Sequence, residues 1–125
     1  MKKLSIAAST LIFFLITAAL AFAGVEYPDE IASEFPQYPG SEVVQVVNMG
    51  ANLITILKCS NAQIKDAYNY YRDRAVKSKW KIAMETKQNE HMMFMAEKGK
   101  KKAMIDISQQ DKEVIASITI VNETE

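Results

Sequence analysis

The chain has 125 residues, with fifteen basic and fifteen acidic side chains and no net formal charge. An apolar share of 49% is ordinary for a globular domain and excludes a disordered or collagen-like chain. The balanced charge argues against a nucleic-acid binder, and the single cysteine, Cys59, excludes an internal disulfide.

Residues 1–23 read as a secretory signal peptide. Met1-Lys2-Lys3 form a positive start, Leu4 to Leu20 an apolar run with the core LIFFLITAAL, and Ala21-Phe22-Ala23 a cleavage signal. The alternative is a retained anchor, since the run is almost long enough to span a bilayer. The order of the three regions favours cleavage before Gly24, leaving no stable membrane span and a periplasmic or secreted protein. No cysteine follows the apolar run, so a lipoprotein anchor is not expected. Loss of Lys2 and Lys3 leaves a net charge near −2. The remaining hundred or so residues make about one small domain, large enough to bury a core without disulfides.

Residues 24–40 carry three prolines, Pro28, Pro36 and Pro39, and read as an extended lead-in with one helical turn around Asp29–Glu34. Tyr38-Pro39-Gly40-Ser41 is a turn, with proline presetting φ and glycine taking the position that needs φ > 0. The single α+β domain then occupies 41–125. Glu42–Val47 and Asn52–Lys58 form a hairpin around Gly50. The stretch Cys59–Trp80 is the one strong helix signal. Ser60 and Gln63 form a capping box and Cys59 a staple on Ile64. Ile64, Ala67, Tyr68, Tyr71 and Ala75 make the apolar stripe.

Four short alternating strands follow: Trp80–Glu85, His91–Glu97, Lys102–Ser108 and Glu113–Val121. With Gly99-Lys100 as a two-residue turn, Phe94 faces Ile105, Met92 faces Ile107, Met95 faces Met104 and Glu97 faces Lys102. With Gln110-Asp111 at the next tip, Ile107 faces Val114, Ile105 faces Ala116 and Ala103 faces Ile118. A slip of one residue would turn the isoleucines to the other side, so both turns agree on one buried face. Trp80, Ile82 and Met84 extend it opposite Ala96, Phe94 and Met92. The predicted fold is an antiparallel sheet, built as hairpin, helix and four-strand meander, with one helix packed on one face.

Pro36-Gln37-Tyr38-Pro39-Gly40-Ser41, the helical Tyr70-Tyr71 and Trp80 together resemble a family of small exported bacterial proteins. In these, P-x-Y-P-G-[AS] opens the domain and a helix with Tyr-Tyr leads to G-W. Lys79 stands where that pattern has glycine. The resemblance implies an exported α+β module and carries no activity.

The outer face of the predicted sheet gathers His91, Met93, Met95, Met104, Ile115 and Val121. One reading is that other chain, such as the lead-in, covers it. Another is a contact surface for a protein or envelope component or for a second copy, with Met93, Met95, Met104 and Ile115 as the adaptable apolar contacts and Tyr70 as an exposed neighbour on the helix. A third is a Cu(I) site built from His91, Met93, Met95 and Met104, because thioethers and imidazole are suited to that ion. Lys98, Lys100, Lys101 and Lys102 crowd a hairpin tip and suit either a solvated turn or an anionic surface. Phosphate loops, nucleophile elbows and H-E-x-x-H spacing are missing. The sequence therefore points to a non-enzymatic exported binding module of the cell envelope, and no cofactor is implied.

Overall fold

The computed structural model describes residues 25–122; the predicted signal peptide lies outside them. Two helices and six strands follow in order: α1 (Asp29–Ala32), β1 (Ser41–Met49), β2 (Asn52–Cys59), α2 (Ile64–Lys77), β3 (Lys81–Gln88), β4 (His91–Lys98), β5 (Lys101–Gln110) and β6 (Glu113–Asn122). All strand pairs are antiparallel, and the sheet order is β1-β2-β6-β5-β4-β3. The last strand therefore sits beside β2 and joins the hairpin to the meander. The expected α+β architecture is observed.

Alternation decides the two faces of the sheet. Val114, Ala116, Ile118 and Ile120 of β6 are buried, as are Phe94 and Ala96 of β4 and Ala103, Ile105 and Ile107 of β5. Helix α2 touches β3, β4 and β5 on that side. Its five predicted stripe residues, Ile64, Ala67, Tyr68, Tyr71 and Ala75, are all buried there. Tyr68 meets Phe94 edge-on at 5.7 Å between ring centroids. Cys59 is a buried free thiol on the same face, and burial pushes its pKa up to about 11.

The helix starts later than expected. Strand β2 runs through Cys59, which pairs with Val114, and the chain then turns through Asn61 at φ 62°. Gln63, rather than Ser60, is the N-cap, and its side chain makes no capping bond. The closure is a Schellman motif. Trp80 N–H donates to Ala75 C=O at 2.9 Å and Lys79 N–H to Val76 C=O at 3.1 Å, with Lys79 itself left-handed at φ 69°.

The register departs from expectation in two places. Phe94–Ile105, Met92–Ile107, Met95–Met104 and Glu97–Lys102 pair as read from the sequence. In the next hairpin Ile107 faces Ala116, Ile105 faces Ile118 and Ala103 faces Ile120. The tip is Asp111-Lys112, with Asp111 taking the left-handed conformation at φ 56°. A shift of two keeps every side chain on its face, so the predicted core survives the correction. Strand β3 behaves differently, because a bulge between Ile82 and Met84 moves the pairing by one. Ile82 now faces Ala96, and Glu85 rather than Met84 lies on the helix side opposite Phe94. Arg72 of α2 reaches Glu85 there at 2.5 Å. Met84 turns outward and is exposed.

The lead-in belongs to the same core. Ile31 and Phe35 are fully buried, and Phe35 packs its ring on Trp80 at 5.4 Å and Tyr71 at 6.3 Å. Tyr27 O–H donates to Phe35 C=O. Tyr71 Oη accepts from Tyr38 N–H at 2.9 Å. The Tyr38–Ser41 turn closes as predicted, with Gly40 at φ 80° and Ser41 N–H donating to Tyr38 C=O at 3.0 Å. The segment before residue 41 is thus part of the helix layer rather than an extended arm over the open face.

Candidate functional site

The open face is organised in rows that run across the strands. The central row is Val47 (β1), Ile54 (β2), Thr119 (β6), Met104 (β5), Met95 (β4) and Met84 (β3), each paired with the next. Beside it runs Gln45, Ile56, Ser117, Asp106, Met93 and Thr86, and beyond that Glu42, Lys58, Ile115, Ser108, His91 and Gln88. Ile54, Ile56, Ile115, Met93 and Met95 are half-buried by their own neighbours, while Met104 and Met84 are 37% and 46% exposed. Both described helices lie on the opposite side.

Met93, Met95, Met104 and Ile115, expected together from alternation, do share this face. Met84 joins them through the β3 bulge. Local alternation placed Met84 inside, and no turn residue marks the extra residue. Tyr70 is not part of the face. It lies on α2, with Tyr38 packed edge-on at 5.2 Å and its hydroxyl donating to Gln37 C=O at 3.3 Å. The lead-in therefore occupies much of the ring that was expected to be free.

The lysine cluster is also partly committed. Glu34 of the lead-in accepts from Lys98 Nζ at 3.0 Å, Lys101 Nζ at 3.3 Å and Trp80 Nε1–H at 3.1 Å. Burial raises the Glu34 pKa, but these donors outweigh it and hold the carboxyl below its ordinary value. Lys98 also lies over the Trp80 ring at 5.8 Å. Lys102 faces Glu97 and Val121 on the strands. Two of the four lysines thus fasten the lead-in rather than await an anionic surface.

His91 Nε2 pairs with Asp106 Oδ1 at 2.8 Å on the open face, so one ring nitrogen of the expected metal ligand already has a partner. Among the described residues no group of three His, Cys, Asp or Glu side chains is placed to hold a metal ion. Two clefts lie away from the face. One of about 230 Å³ is lined by Tyr70, Asp73, Arg74 and Lys77 of α2. The other, of about 260 Å³, sits at the start of α2 between Gln63, Lys65, Asn89, Met92 and Gln109. Among the described residues no helix is long and apolar enough to cross a membrane.

A helix closed over one face of an antiparallel sheet, with the other face open, makes a small two-layer α+β domain. A family model described as START domain-like matches residues 42–113, from β1 to the start of β6. The chain belongs to the START domain-like family. No curated protein matches it.

Proposed function

We propose that the protein is an exported, non-enzymatic module of the bacterial cell envelope that holds a protein partner on the open face of its sheet. The observation that carries this reading is the central row from Val47 to Met84. It crosses all six strands and is apolar at every position but Thr119. Six strands of about eight residues present roughly 700 Å² at ordinary sheet spacings, close to the roughly 800 Å² that each partner contributes to a standard interface. Methionines in that row are adaptable contacts. The polar rows beside it supply the rim that protein interfaces have.

Export rests on the sequence of residues 1–23. The non-enzymatic reading rests on the setting of the His91–Asp106 pair, which stands on an open face with 38% and 36% of the two side chains exposed. Acid–base chemistry works best where water is excluded.

The test compares proteins recovered after cross-linking in the envelope fraction, using wild type and an Ile54→Glu/Met104→Glu variant. Both substitutions lie outside the buried core, so the melting transition should remain cooperative. The expected result is loss of a specific wild-type partner. The same partner recovered at the same yield from the variant would overturn the reading. A complex that sediments as two copies of this chain would make the partner a second protomer. N-terminal sequencing of the envelope protein should begin at Gly24.

A further inference from the structure

We propose that Met84, Met95 and Met104 form a three-thioether site for a soft monovalent cation, Cu(I) or Ag(I). The register places the three side by side on consecutive strands: Met84 faces Met95, and Met95 faces Met104. All three point away from the core, and none is fully buried. The bulge between Ile82 and Met84 creates this arrangement. Without it Met84 would sit on the helix side.

The geometry fits a trigonal site. Adjacent strands lie about 4.8 Å apart, so the outer two methionines stand about 10 Å apart with Met95 midway. With metal–sulfur bonds near the roughly 2.3 Å of zinc thiolates and angles of about 120°, an ion above Met95 requires each outer sulfur to lean in by roughly 3 Å, about the reach of the Cβ–Cγ–Sδ arm. Methionine has the rotors to do this.

The chemistry selects the ion. Three neutral thioethers are soft donors and add no negative charge, which suits a monovalent soft cation and disfavours Zn²⁺, Ca²⁺ or Mg²⁺. Of the acids on the face, Asp106 is engaged by His91, and Glu97 stands opposite Lys81 and Lys102 in the register. The other methionines are placed differently. Met93 lies one row away opposite Asp106 and Thr86, Met92 is on the helix side opposite Ile107, and Met49 is at the far edge of the sheet. The thiol of Cys59 is buried on the opposite face.

The site depends on sulfur, and leucine at the three positions removes the sulfur while keeping the apolar bulk. The experiment titrates Ag(I), in chloride-free buffer, into protein labelled at the methionine methyl carbons. The expected result is a shift of the Met84, Met95 and Met104 methyl signals together, complete at one equivalent. Met49, Met92 and Met93 should stay unmoved. Met84→Leu alone should weaken Ag(I) at least tenfold. The triple leucine variant should abolish the shifts while keeping its melting transition. Cu(I) held reduced by ascorbate should compete for the same signals. Shifts spread equally over Met49 and Met93, full affinity in Met84→Leu, or no shift at all would overturn the site. Loss of binding in Cys59→Ala, with the methyl signals unmoved in the parent, would assign the ion to the thiol and overturn it as well.

Discussion

Lys79→Gly should stabilise the protein. Lys79 is the left-handed residue of the Schellman closure of α2, at φ 69°, and its side chain is exposed. A residue with a Cβ in that conformation costs about 1–2 kcal/mol. Glycine removes that strain but gives the unfolded chain more freedom, which takes back about 0.5–1 kcal/mol. The net gain is about 0.5–1 kcal/mol. For a domain of this size that raises Tm by roughly 2–8 °C. The assay is thermal and urea unfolding of both proteins at one pH. Lys79→Ala is the control, because it removes the charge and keeps the Cβ, and should change stability by no more than about 0.5 kcal/mol. A glycine variant that melts at or below wild type, or an equal gain from alanine, would refute strain at Lys79.

Three further outcomes follow from the same structure. Phe94→Ala should cost about 3–5 kcal/mol, because Phe94 is fully buried against Tyr68. Met95→Ala, on the open face, should cost about 1 kcal/mol or less, and equal urea midpoints would mean the faces are misassigned. Glu34→Gln tests the clasp on the lead-in. Because the folded pKa of Glu34 lies below its ordinary value of 4.5, its contribution is present above that value and is lost as pH falls through the folded pKa. The stability gap between wild type and Glu34→Gln should therefore be full at neutral pH and close in acid; a gap unchanged down to strong acid would refute the clasp.

Much of the fold is legible locally. A strand shows its period of two and a helix its period of 3.6 in a few residues. The stripe from Ile64 to Ala75, the Tyr38–Ser41 turn and the Gly99-Lys100 turn are therefore read without knowing the rest of the chain. Because a strand has only two faces, even the two-residue error at the Asp111-Lys112 tip left Ile105 and Ile107 in the core. The four contacts expected on the open face, Met93, Met95, Met104 and Ile115, all follow from that alternation.

What the tertiary structure decided lies where local pattern gives no signal. The β3 bulge turned Met84 outward and Glu85 toward Arg72. An extra residue in a strand leaves composition and turn chemistry unchanged, and only the fit of Ile82 and Glu85 to β4 and α2 selects it. The lead-in's place was set by contacts far apart in sequence, Glu34 with Trp80, Lys98 and Lys101, and Phe35 with Tyr71. Such contacts leave no periodic trace, so Tyr70 read as open and Lys98 as unpaired. The sequence alone determined which side of each central strand is apolar and where most turns fall, because those depend on neighbours along the chain. The tertiary structure decided which face stays open and which side chains meet on it, because those depend on long-range packing and on where a strand accommodates one residue too many.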